Sequence, residues 1–79
     1  MITILKVTEA NASSCFVYYE IDGNLYFIEI EYQVFADYFG LFNANLEIVA
    51  DLAEQYISDI KQHEPCDHPQ EFYNEIINR

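Results

Sequence analysis

From Cys15 to Ile21 the chain alternates residue by residue, with Cys15, Val17, Tyr19 and Ile21 on one side and Phe16, Tyr18 and Glu20 on the other. A period of two is the signature of a strand. Asp22-Gly23-Asn24 follows, and Asp-Gly and Gly-Asn both supply the positive-φ positions that a tight hairpin needs. The alternation then resumes over residues 25–32. Tyr26, Ile28, Ile30 and Tyr32 share one face there, and Glu29 and Glu31 take the opposite one. The pattern predicts a β-hairpin. Ahead of it, residues 2–8 are rich in β-branched side chains and read as a first strand, joined to the hairpin by a polar connection over 9–14.

Beyond residue 32 the period changes. Residues 33–39 read as a short helix that Gly40 ends in the left-handed conformation. Asn43 or Asn45 can cap the next helix. Over residues 46–62, Leu46, Val49, Ala53, Tyr56 and Ile60 recur at helical spacing, and Ile48, Leu52 and Ile57 widen the stripe. Glu47, Asp51, Glu54 and Ser58 then face outward. Pro65 and Pro69 punctuate residues 63–69, which read as a loop. Pro69 suits the first turn of a last helix, and Asp67 with Gln70 has capping-box spacing. Phe72, Tyr73, Ile76 and Ile77 give that helix its apolar face. The order β-β-β-α-α-α predicts one α+β domain over residues 1–79: a small antiparallel three-stranded sheet with helices packed on one face and water on the other.

Composition changes this picture in one respect. Apolar residues make up 52% of the chain, enough for a core, so low hydrophobicity does not argue for disorder. The charge is what needs a reason. Fourteen Asp and Glu face Lys6, Lys61 and Arg79, for a formal charge of −11. Self-repulsion of that size works against the compact state. Solubility alone is the bland explanation. Against it, abundant Ile, Asn, Tyr and Phe usually come with many lysines, and here there are two. An acidic surface repels nucleic acid and anionic membrane and attracts basic proteins, so direct DNA or RNA binding is not expected. The N-terminus lacks the features of an export signal, and no apolar run has the length of a membrane span. Cys15 and Cys66 read as reduced thiols, and the expected setting is a bacterial cytoplasm.

Catalytic signatures are sparse. There is no phosphate-cradling glycine loop, no nucleophile elbow and no serine-triad pattern, so the chain reads as a non-enzyme with no cofactor. A Cys66 thiolate would be disfavoured by Glu64 and Asp67 beside it. His63, Cys66 and His68 are three zinc-ligand types within six positions, yet their spacing matches no standard zinc finger, and a polar surface loop is the simpler reading.

The carboxylates carry the sharper hypothesis. Glu29 and Glu31 share a strand face about 6.6 Å apart, and a tight turn brings Glu20 to the same side with Phe16 and Tyr18. Glu47, Asp51 and Glu54 repeat at i, i+4 and i+7, roughly 5–6 Å per step. Such spacings are of the order of those between nucleic-acid phosphates. A solvated outer face is the competing explanation for both groups. Aromatics beside carboxylates, however, make a plausible hot spot for a partner.

In size, scarcity of lysine, the hairpin bearing Glu20, Glu29 and Glu31, and acidic segments such as Glu71-Phe72-Tyr73-Asn74-Glu75, the chain resembles phage-type anti-CRISPR and anti-restriction proteins that imitate DNA. The resemblance is one of class and rests on no diagnostic motif. It implies a basic nucleic-acid-binding protein or nuclease complex as partner, blocked at its DNA groove. The alternative is a non-enzymatic interaction module or homodimeric accessory protein with no nucleic-acid role.

Overall fold

The structure is a computed structural model that describes residues 1–60 and 63–65. Three long strands form an antiparallel meander: β1 (Ile2–Asn11), β2 (Ser14–Ile21) and β3 (Asn24–Glu31). Two helices follow, α1 (Tyr32–Phe39) and α2 (Leu46–Asp59). The chain then returns to the sheet as β4 (Glu64–Pro65), pairing with Phe27 and Tyr26 of β3. The α+β class agrees with the expectation, but the β-β-β-α-α-α order does not. Two helices are present among the described residues, and the third, expected from Pro69 onward, lies outside them.

The hairpin follows its turn chemistry. Ile21 pairs with Asn24, leaving Asp22 at φ 52° and Gly23 at φ 85° as the two turn residues. Positive φ at both central positions matches the right-handed twist of the flanking strands, which is why such turns join them. Every β2–β3 pair then follows in register from Ser14↔Glu31 to Ile21↔Asn24.

The first hairpin corrects the predicted connection over 9–14. β1 runs on to Asn11, and the turn is only Ala12-Ser13. The Asn11 side-chain oxygen accepts hydrogen bonds from the Ser13 amide at 2.8 Å and the Ser13 hydroxyl at 3.0 Å. A side chain bonding the backbone two residues on imitates a backbone turn. Register shifts lie between Ile4 and Lys6 and between Glu9 and Asn11. Irregularities of this kind mask the alternation in the sequence.

The helices start and stop for local reasons. In α2 the Asn45 side chain accepts from the Ile48 amide at 2.9 Å, so Asn45 is the cap and Asn43 is not. That helix ends at Asp59, short of the expected Gln62, with Ile60 already extended. α1 ends at Gly40, φ 69°. The Leu41 amide donates to the Ala36 carbonyl at 2.8 Å and the Gly40 amide to the Asp37 carbonyl at 3.3 Å, the paired bonds of a Schellman stop. The expected loop over 63–69 is corrected at Glu64–Pro65. A proline can sit on the outermost strand of a sheet because its missing N–H disrupts no inner ladder.

Both helices pack on the same face of the sheet. Cys15, Val17, Tyr19 and Ile30 meet Phe35, Val49, Ala53 and Ile57 in one buried cluster. Tyr19, Phe35 and Ile57 are its largest fully buried side chains. Burying an aliphatic or aromatic side chain of this kind contributes on the order of 1.5–3 kcal/mol.

Candidate partner-binding surfaces

The outer face of the sheet carries five of the expected contact residues. Register sets their order from one end to the other: Ser14 opposite Glu31, Phe16 opposite Glu29, Tyr18 opposite Phe27, and Glu20 opposite Leu25. Glu20 therefore shares the face but not the neighbourhood of Glu29. Four residues of strand separate it from Phe16, which puts it about 13 Å away. Between the acidic ends runs an aromatic strip. The Phe27 ring stacks on Tyr18 with centroids 6.2 Å apart and tilts against Phe16 at 6.5 Å.

This face is less open than alternation alone suggests. Tyr18 is only 8% exposed, flanked in the sheet by Lys6 and Phe27, while Phe16, Leu25 and Phe27 are half-buried. The expectation of a fully solvated outer face is corrected accordingly. Large rings on neighbouring strands lie within reach of one another and shed water together. Glu29 and Glu31 remain exposed. Glu29 is oriented from below, because the hydroxyl of Ser14, itself 1% exposed, donates to its carboxylate at 2.7 Å.

The outer stripe of α2 is built differently. Val49, Ala53 and Ile57 are fully buried beneath the helix, and that anchoring turns Glu47, Asp51 and Glu54 outward, all three exposed. Glu47 lies in the first turn, where a negative charge complements the helix dipole. The described cation Lys6 lies on the far side of the sheet and pairs with none of these carboxylates or with Glu29 and Glu31. The ion pair among the described residues joins the Met1 ammonium to Asp22 at 3.6 Å. An open cleft between Met1, Ile2, Glu54, Gln55 and Ser58 borders the stripe.

The fold thus separates what the sequence grouped. α2 covers the core face, while Phe16, Tyr18, Glu20, Glu29 and Glu31 project from the opposite one. The two acidic groups sit on opposite sides of the molecule, and no single flat partner surface can engage both.

Of the weak metal trio, His63 lies among the described residues and Cys66 and His68 outside them. The His63 ring packs against Tyr19 and Tyr26, centroids 5.6 Å away in each case, and its Nδ1 shares a hydrogen bond with the buried Tyr19 hydroxyl at 2.7 Å. Buried hydroxyls are ordinarily hydrogen-bonded, and this contact is one such bond for Tyr19. Among the described residues no group of three or more potential ligands gathers. Cys15 is a free thiol at the centre of the core, and burial pushes it up from the usual cysteine range, with the Glu29 charge adding a smaller push and a hydrogen bond with Tyr32 opposing it. A thiol held protonated is a poor nucleophile.

One feature escaped the sequence reading. Val34, Tyr38, Leu41 and Phe42 are exposed large apolar side chains, Phe42 to 96%. Val34 and Tyr38 stand four apart on α1, a spacing visible in the sequence; without knowing which face packs on the sheet, it reads equally as core.

Comparison with known proteins adds no relative: no family model matches the chain, nor does any curated protein or solved structure. Among the described residues no helix is long and apolar enough to cross a membrane.

Proposed function

We propose that this chain is an acidic, non-enzymatic protein inhibitor that occupies the basic nucleic-acid-binding surface of a bacterial defence nuclease complex and competes there with DNA. Its setting would be the cytoplasm of a bacterial host. The observation that carries the reading is the outer stripe of α2. Glu47, Asp51 and Glu54 are exposed, regularly spaced, backed by a packed core and paired with no described cation. Arginines and lysines that hold phosphates bind carboxylates by the same charge-assisted hydrogen bonds. Glu29 and Glu31, with Phe16 beside them, form a second and smaller acidic surface facing the other way.

A pull-down from bacterial lysate, washed at low and at high salt, tests this. The wild-type chain should recover a nucleic-acid-binding protein that high salt releases and that added duplex DNA displaces. Glu47→Lys/Asp51→Lys/Glu54→Lys should lose it. A partner that survives both the salt and the charge reversal would overturn mimicry.

The second reading, an interaction module with no nucleic-acid role, is favoured by the exposed apolar side chains around Phe42. A homodimer belongs to the same reading.

A further inference from the structure

We infer that the end of α1 and the turn after it form a docking surface for a basic amphipathic segment of a partner protein, an apolar stripe flanked by Lys or Arg. The proposal does not rest on carboxylate mimicry and uses none of its residues.

The surface is built by the Schellman stop. Gly40 in the left-handed conformation reverses the chain at the last turn of α1, and the Leu41 amide bonded to Ala36 pins the next residue there. Such a stop ordinarily folds an apolar side chain back onto the helix. Leu41 does this in part, at 37% exposed, while Phe42 stands out at 96%. Val34 and Tyr38, 52% and 48% exposed, continue the surface along α1. Tyr38 is fixed before any partner arrives. Its ring meets Phe39 edge-on at 4.9 Å and Tyr56 at 5.1 Å, and its hydroxyl donates to Asp59. An anchor already held in place loses little rotamer freedom on binding.

The rim names the occupant. Asp37, bonded by Gln33 at 3.2 Å, and Asp59 at the end of α2 are exposed carboxylates beside these apolar groups. The described residues contain no Lys or Arg on either helix. A second copy would set Asp37 and Asp59 against their equals in a chain of net charge −11, which disfavours self-pairing. Nucleic acid and anionic lipid are repelled for the same reason. What remains complementary is apolar at its centre and cationic at its edge, the usual anatomy of a protein interface seen from the other side.

The probes are two synthetic cationic peptides of equal length and charge, one with Leu at helical spacing among Lys and the other with Ser in place of every Leu. Each is titrated into the full ¹⁵N-labelled chain. The Leu/Lys peptide should saturate, shift the amides of residues 34–42, and bind at least about 10-fold more tightly than the Ser/Lys peptide. Phe42→Ser should cost about 10–30-fold in affinity, the scale of a hot-spot residue. So exposed a side chain contributes nothing to the core, and the other amide signals should stay in place. Glu47→Lys/Asp51→Lys/Glu54→Lys should leave the 34–42 shifts intact, which separates failure here from failure of the α2 stripe. Equal binding of the two peptides, shifts confined to α2, or no effect of Phe42→Ser would overturn the proposal. Concentration-dependent broadening at Phe42 in the chain alone would overturn it in favour of a second copy.

Discussion

The outer face of the sheet and the outer face of α2 carry the same kind of charge on different foundations. On the sheet, strands lie side by side, so every carboxylate has a cross-strand neighbour. Glu29 faces Phe16 and is held by Ser14, and Glu31 faces Ser14. Glu20 stands apart beyond the Tyr18–Phe27 stack. On α2, adjacent turns send Glu47, Asp51 and Glu54 into solvent, Glu54 beside the cleft that Met1 and Ile2 border. The difference teaches that acidic spacing alone does not define a binding surface. A strand carboxylate is partly committed to its own sheet, whereas a carboxylate on the convex side of a helix keeps its full capacity for a partner.

Charge reversal gives the largest expected separation. Glu47→Lys/Asp51→Lys/Glu54→Lys should weaken capture of a basic partner by at least about 100-fold, roughly 2.7 kcal/mol, in a range reached by close interfacial charge pairs. Glu29→Lys/Glu31→Lys should weaken it by under about 10-fold. Titration calorimetry of both variants against the recovered partner decides, and the reverse ranking would move the site to the sheet.

Two stability changes probe the foundations. Asn45→Ala removes the side-chain acceptor at the start of α2 and should cost about 1 kcal/mol in urea unfolding, with the helix signal reduced. Ser14→Ala removes the donor beneath Glu29 and should cost about 1 kcal/mol or somewhat less, because the carboxylate can turn to water instead. Glu47→Gln, by contrast, should stay within about 0.5 kcal/mol of wild type. A Ser14→Ala variant as stable as wild type would mean that Glu29 is as free as the helix carboxylates.

The smallest effect is alkaline. The hydrogen bond to Asp59, then burial, then the Asp59 charge hold Tyr38 above the usual tyrosine value near 10. A group whose folded value is raised adds stability that is complete below its unfolded value and fades as pH rises through the folded one. Above about pH 10, wild type should therefore lose stability faster than Tyr38→Phe, as read from thermal melts across that range. Parallel losses would remove Tyr38 as the cause.

Much of the fold was legible because local rules agreed. The Asp22-Gly23 turn, the alternation on either side of it, the Gly40 stop and the apolar stripe of α2 each follow from backbone conformation or period. The first strand was legible over residues 2–8, but its run to Asn11 and the tight turn after it were not. Its irregular register breaks the alternation, and Asn11 makes a turn from residues that look like an unstructured link. Pro65 reads as a loop residue, and only its position against the β3 edge makes it a strand residue. His63 reads as a polar surface-loop residue with a weak case for metal, and its ring packs on Tyr19, a contact across 44 positions of sequence that no local pattern encodes.

By itself, the sequence determined the class of the fold, the carboxylate spacing along each element, and the charge of −11. These depend on residue type and on short-range period. Only tertiary packing decided which stripe faces which way. Placing α2 on the Cys15–Val17–Tyr19 face put the two acidic groups on opposite sides, cross-strand packing half-closed the aromatic strip around Tyr18, and the turn after α1 left Phe42 in water. Helix and strand periods say which residues share a side, and the long-range contacts of the core choose which side faces solvent.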